Sequence, residues 1–338
     1  MSSDYDVFRL GDLPLLKGGV LKDARLAYKT YGTLAPKGDN VVVMPTFYTG
    51  SHDRNEGFFG PGRALDPARH YIVSVNLFGN GVSSSPSNTE GPQSGGNFPA
   101  ITLHDNIAAQ NRLLTERLGV TQIALVTGWS MAGCQSYQWA VQYPEMVKAI
   151  LPFCASARTS PHNFVFLEGV KAALCADPIW NGGHYDTQPV EGLGAFGRVY
   201  AGWAFSQTFY RTGLYRQLGY DSPLALMDDW ARDHAENWDA NDLLCKLATW
   251  QAGDVSAGPR FNGDYKAALG SIRARTILMP CTQDLYFPPE DNEIEATLIP
   301  GSQFAPYNSD FGHCAANPGN DPGFTTQLDM HAATLLAL

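Results

Sequence analysis

The chain has 338 residues, 44% of them hydrophobic and 17% charged, a composition that suits a globular fold with a large buried core. Its formal net charge of −10, without any basic run, argues against nucleic acid or an anionic membrane as partner. Six scattered cysteines, with no C-x-x-C pair and no histidine at zinc spacing, read as free thiols in a reducing cytoplasm and predict no metal site.

In chain order, Met1-Ser2-Ser3-Asp4-Tyr5-Asp6 is polar and acidic, unlike a signal peptide. The first forty residues alternate in short extended runs, with Gly18-Gly19 and Tyr31-Gly32 as turns, and predict an antiparallel hairpin at a sheet edge. Residues 40–44 form a continuous apolar run of the kind buried on both faces, followed by the turn-rich 45–52. A second such strand is predicted at 70–76, leading into a glycine- and serine-rich loop, 79–87. Residues 101–118 have helical periodicity, with Ile107, Leu113, Leu114 and Leu118 on one side. A strand ending at Trp129, a helix stopped by Pro144 and a further buried strand at 147–153 come next.

From about Ser160 to Ala268 strand-like runs vanish and aromatic residues cluster, Trp203, Phe205, Phe209 and Tyr210 among them. This segment reads as a helical insertion over the sheet, giving a core domain of 1–160 and 269–338 and a lid of 161–268. Its aromatic run is better suited to core or dimer interface than to substrate contact. Strand signal returns at 275–279 and again near 297–299, and a final helix begins around Phe324. Strands alternating with helices predict an α/β fold: a mostly parallel sheet flanked by helices. No apolar stretch approaches the length of a membrane span.

The chemistry centres on Gly128-Trp129-Ser130-Met131-Ala132-Gly133, a tight turn between a short apolar strand and a helix rich in small residues. This is the layout of a nucleophile elbow, in which the turn lifts a serine hydroxyl clear and the helix N-terminus faces developing negative charge. The competing role for Ser130 is a helix N-cap. A serine needs a base and a group that orients it, and in the α/β-hydrolase arrangement these follow in the order serine, acid, histidine. Asp284, in a loop after a buried strand, and His313, in a glycine-containing loop before the last helix, supply them. Ser130 is thus the expected nucleophile, His313 the general base and then acid, and Asp284 the holder of the imidazole tautomer. The rivals are His52 for the base and Asp310 for the acid, while His331 is expected on an exposed helix face. The Met131 N–H and the Tyr48 N–H are the expected oxyanion donors. A carboxylate nucleophile, as dehalogenation or epoxide opening requires, is absent from the elbow. The reading from another class is a non-catalytic binding protein, and the presence of all three triad residue types argues against it.

The chain resembles the homoserine O-acetyltransferases of the α/β-hydrolase superfamily from about Leu26 to the final helix. Thr49-Gly50-Ser51-His52, Gly60-Pro61-Gly62-Arg63-Ala64-Leu65-Asp66, Trp139-Ala140-Val141-Gln142-Tyr143-Pro144-Glu145 and Asp284-Leu285-Tyr286-Phe287-Pro288-Pro289 carry the resemblance. So does Asp177-Pro178-Ile179-Trp180-Asn181-Gly182-Gly183-His184-Tyr185 within the insertion. The resemblance implies a lid over a tunnel, an acetyl-serine intermediate, acetyl-CoA as donor and a homodimer formed through the lids. Three departures bear on substrate. Trp129 and Ala132 stand where the family has glycines, and Phe47-Tyr48 replace a smaller pair, so a more aromatic acyl pocket is expected. Cys314 follows His313 where the family has an aspartate that meets the homoserine amino group, and a neutral thiol cannot compensate an ammonium ion. Arg198 matches a family arginine that anchors the substrate carboxylate, its competing role being a lid salt bridge. The expected activity is therefore hydrolysis of a small carboxylic ester or activated acyl compound through an acyl-Ser130 intermediate, with no cofactor. The alternative is acetyl transfer from acetyl-CoA, as co-substrate, to homoserine or another small alcohol.

Overall fold

Short, largely apolar pentapeptides become strands whose residues are all buried: β3 (Val41–Pro45), β5 (Leu125–Trp129) and β6 (Ala149–Phe153). They lie at the centre of an eight-stranded sheet in a computed structural model that describes residues 4–337. Met1, Ser2 and Ser3 of the polar N-terminal stretch fall outside the described residues. The strand order is β1-β2-β4-β3-β5-β6-β7-β8. The predicted hairpin, β1 (Asp6–Pro14) and β2 (Val20–Tyr31), forms one edge, and β2 pairs antiparallel with β4 (Tyr71–Val75). All further pairings are parallel, out to β7 (Arg275–Leu278) and the two-residue β8 (Gln303–Phe304).

Alternation along the strands divides the core in two. Val42, Leu125, Leu151 and Ile277 belong to one apolar cluster, and Val41, Val43, Val126, Ile150 and Leu278 to the other. The second cluster takes in α1 (Leu103–Arg112) and α2 (Met131–Gln142). Between β6 and β7 the chain runs through helices: α3 (Pro161–Cys175), α4 (Val190–Ala204), α5 (Gln207–Thr212), α6 (Pro223–Asn237), α7 (Ala240–Gln251) and α8 (Tyr265–Gly270). Phe166, Phe196, Tyr200 and Trp250 from this stretch close over the first cluster. Then α9 (Pro289–Leu298) and α10 (Pro322–Leu336) complete the fold. Among the described residues no helix is long and apolar enough to cross a membrane.

Two expectations are corrected. Residues 297–299 are not a strand: Thr297 and Leu298 end α9 and Ile299 caps it, its N–H bonded to Glu295 O. The last strand comes five residues later, too short to leave a periodic signal. His331 is buried, because α10 turns Leu328, Ala332 and Leu335 toward the sheet and His331 shares that side. The helix expected over 101–118 ends its α-helical part at Arg112 and continues as a π-helical turn through Arg117.

Candidate active site

Ser130 joins β5 to α2 at φ 59°, ψ −128°, a conformation that an L-residue adopts only under constraint. Its main chain is held on both sides: the N–H donates to Phe153 O at 3.1 Å, and its carbonyl accepts from Cys134 N at 3.0 Å. Small neighbours make the turn possible. A Cβ on Gly128 would stand 2.4 Å from the Ala132 Cβ, and one on Gly133 would stand 2.4 Å from the Ala155 Cβ. The hydroxyl makes no capping hydrogen bond to α2, which removes the N-cap alternative.

Asp284 lies beyond the end of β7 and is 4% exposed. Its Oδ1 accepts from the N–H groups of Tyr286 (2.8 Å) and Phe287 (3.0 Å), and its Oδ2 lies 2.6 Å from His313 Nδ1. A carboxylate at that distance places the ring proton on Nδ1 and leaves Nε2 free to act as a base. Gly312, at φ 62°, lets the histidine turn pass close to the helical stretch, since a Cβ there would come within 2.8 Å of Ser206 N. The imidazole is walled by aromatic rings: Trp129 stacked at 5.1 Å, Tyr286 at 4.7 Å and Phe287 at 5.7 Å between centroids. Because Trp129 directly precedes Ser130, this stack brings the Asp284–His313 pair to the elbow. Neither Ser130 Oγ nor His313 Nε2 has a hydrogen-bond partner among the described residues; such contacts commonly tighten only when substrate binds.

The rival residues are engaged elsewhere. The buried His52 sits between Asp4 Oδ1 and Asn76 Nδ2, each 3.1 Å from one of its ring nitrogens. Asp310 receives the Gln283 side-chain amide at the surface. Cys154, Asp284 and His313 bring three ligand-type atoms within 4.8 Å of one another. Burial drives the Cys154 thiol far above its ordinary range, and both Asp284 oxygens are already bonded. A neutral thiol and an occupied carboxylate suit a hydrogen-bonded pair better than a metal ion.

Met131 is the first residue of α2, and Tyr48 stands in the loop that leaves β3. Neither N–H donates a hydrogen bond among the described residues. The Tyr48 phenol donates to Leu243 O at 2.9 Å. Phe47 packs against the back of Trp129 at 4.8 Å and does not line the cavity beside it.

That cavity, about 650 Å³, runs from Trp129 and Cys314 past Tyr200 and Phe205 to a polar mouth on α6. Trp129 and Cys314 both line this cavity. Arg198 does not. It occupies the exposed side of α4, whose buried side carries Phe196, Gly197 and Tyr200, and it pairs with Asp228 at 2.5 Å. The salt bridge within the helical stretch is the role the structure gives it. Two features were missed from sequence. Arg54 reaches the cavity with Nη2 3.2 Å from Asn317 Oδ1, and α6 lends Asp233, His234 and Glu236 to its mouth. The lone signal for Arg54 was a cation two residues beyond the Thr49–His52 string.

The elbow, the following acid and histidine loops and the sheet order define a class. A profile of the alpha/beta hydrolase fold matches residues 39–314, and the chain belongs to that family. Among particular relatives, it is 37% identical over 336 residues to the ethyl acetate hydrolase of Pseudomonas veronii, covering 98% of this chain and 95% of that protein. A solved acetylester hydrolase from Corynebacterium glutamicum superposes with a TM-score of 0.95 at 35% identity, covering 99% of this chain and 96% of that one. The homoserine O-acetyltransferase of Trichormus variabilis is 32% identical over 312 residues, covering 88% of this chain and 85% of that protein. The resemblance to the acetyltransferases therefore holds, with ester hydrolases more similar than that transferase.

Proposed function

We propose that this protein hydrolyses small carboxylic esters through an acyl-Ser130 intermediate. The observation that carries this reading is the buried Asp284–His313 pair, 2.6 Å apart and stacked on the residue before the elbow serine. His313 Nε2 takes the Ser130 proton as Oγ attacks the ester carbonyl. The Met131 and Tyr48 N–H groups receive the oxyanion, and the alcohol departs with the proton from His313. Water, deprotonated in turn by His313, then releases the acid. Side chains and main chain supply every group, so no cofactor takes part.

Cys314 favours water over an amino alcohol as acceptor. Burial pushes its thiol up, so this part of the cavity wall offers no anion to an ammonium group. The relatives named as ester hydrolases support the same choice. The test measures hydrolysis of ethyl acetate and p-nitrophenyl acetate beside thiol release from acetyl-CoA, with and without homoserine. Rapid ester hydrolysis that is lost in Ser130→Ala, with thiol release indifferent to homoserine, is expected. Homoserine-dependent thiol release exceeding ester hydrolysis would replace the reading with acetyl transfer.

The helices of residues 161–268 form the lid in this reading, and the lid joins two protomers. Of nine large apolar side chains exposed among the described residues, six lie there, including Val165 and Leu224. Sedimentation should give a dimer, and Leu224→Asp together with Val165→Asp should give a monomer. The six cysteines, all free, suit the cytoplasm.

A further inference from the structure

Lys246 on α7 is wholly buried, and its Nζ has no hydrogen-bond acceptor among the described residues. The ammonium lies instead against two rings, 4.2 Å from the Trp238 centroid and 5.3 Å from the Tyr48 centroid. Cation–π contacts of this kind are modest beside the desolvation of an ammonium ion. Packing alone does not require the charge, since a methionine would fill much the same space.

The neighbour that distinguishes this position is Tyr48. The same helix grips that residue twice: Leu243 O accepts the phenol proton, and three residues on, Lys246 meets the ring. Phe196, Tyr200 and Trp250 complete the socket, with centroids 5.6 to 6.4 Å away. Fixing the side chain of Tyr48 fixes the loop that carries its N–H.

We propose that Lys246 is a positioning residue of the oxyanion hole: its buried ammonium holds the Tyr48 ring and so aims the Tyr48 N–H at the reacting carbonyl oxygen. This rests on the ester-hydrolase reading, in which that N–H is the second oxyanion donor. A displaced donor weakens transition-state binding while leaving ground-state binding nearly intact, so the signature is a loss of kcat at constant KM.

The groups facing Lys246 set its pH signature. Asp242, Cys245 and the N-cap Asp239 belong to α7 or its start, His234 comes from α6, and Tyr48 from the loop after β3. Burial lowers Lys246 to about 8. It raises Asp242 to about 6 and Cys245 to about 12, lifts the Tyr48 phenol well up, and pushes His234 down. Among the groups that burial shifts here, Lys246 alone changes charge just above neutrality.

The experiment compares the full-length protein with Lys246→Met, using p-nitrophenyl acetate and counting competent sites by fluorophosphonate labelling. Expected are a fall in kcat per labelled site of about tenfold or more, a KM within about twofold, and a melting temperature equal or higher because an unpaired buried charge is gone. The wild type should lose kcat above about pH 8, and the variant should lack that limb. Unchanged turnover per labelled site overturns the proposal, whatever the melting temperature does. If the variant does not fold, the wild-type profile decides: constant kcat from pH 7 to about 9.5 overturns it. Absence of labelling at Ser130 in folded wild-type protein would instead sink the ester-hydrolase reading beneath it.

Discussion

Asp284 divides its work between its two oxygens. Oδ1 braces the loop through Tyr286 and Phe287, and Oδ2 orients His313. Asp284→Asn keeps the first role and inverts the second, because an amide N–H facing Nδ1 forces the ring proton onto Nε2 and removes the base. Turnover should fall by about 10⁴-fold with little change in melting temperature, as steady-state rates and thermal melts on one preparation would show. A comparable loss of both would mean the residue only holds the loop. Arg198→Ala should do almost nothing. Its ion pair with Asp228 is 42% and 50% exposed at the two side chains and is worth at most about 1 kcal/mol. A several-fold rise in KM for a carboxylate-bearing ester, with unchanged stability, would return Arg198 to the substrate site. That Asp284 and His313 meet beside the elbow of Ser130 was legible because each residue sits in a local pattern that chemistry constrains. Arg54 was not, since its place at the cavity depends on a loop crossing toward Asn317, 263 residues away.

At the scale of elements, the elbow depends on how closely β5, α2 and β6 approach. Gly133 is the pinch point: its hypothetical Cβ would lie 2.4 Å from the Ala155 Cβ and 2.9 Å from Gly128 O, the latter main chain that cannot swing aside. Gly133→Ala should therefore cost about 1–3 kcal/mol and lower kcat as well, because relief comes only by moving α2 and Ser130 with it. Denaturant melts and turnover per labelled site check this, and full activity with wild-type stability would show that the junction has slack. The same closeness gives Ala132 its place: with Gly128 opposite, its methyl group fits. Strands β3 to β6 were legible as apolar runs because both faces of each are covered. The 297–299 misreading arose from three apolar or β-branched residues closing a helix, a pattern too short to carry a period. The stretch 161–268 was legible as helical but not helix by helix, since those helices pack largely on one another, as α3 does on α4 and α7 and α4 on α6.

For the whole molecule, Glu295 ties together parts that lie far apart along the chain. It is 1% exposed on α9. Oε1 accepts from Ala157 N (2.7 Å) and the Tyr265 hydroxyl (2.9 Å), and Oε2 from the Tyr137 hydroxyl and Asn292 Nδ2, both at 2.7 Å. One carboxylate thus joins α2, α8, α9 and the segment after β6. Burial, opposed by these four donors, pushes its carboxyl from 4.5 up to about 7. Between those values the unfolded chain is ionised while the folded one keeps its proton, so the folded state binds more protons. The stability this group contributes is complete below about pH 4.5 and is lost as pH rises to about 7, an effect on the order of 3 kcal/mol. Histidines 70, 104, 234 and 331, all lowered by burial, act in the opposite direction, so the wild-type profile alone does not isolate Glu295. The difference from Glu295→Gln does. The variant mimics the protonated carboxyl, so it should stand closest to the wild type at pH 5 and gain on it by pH 7.5, as the wild type bears the cost of a buried charge. Parallel melting curves across that range would show that Glu295 does not titrate there. Because Tyr137 lies on the helix that begins just after Ser130, any shift in this junction should also appear as a change in labelling rate at the serine over the same pH interval.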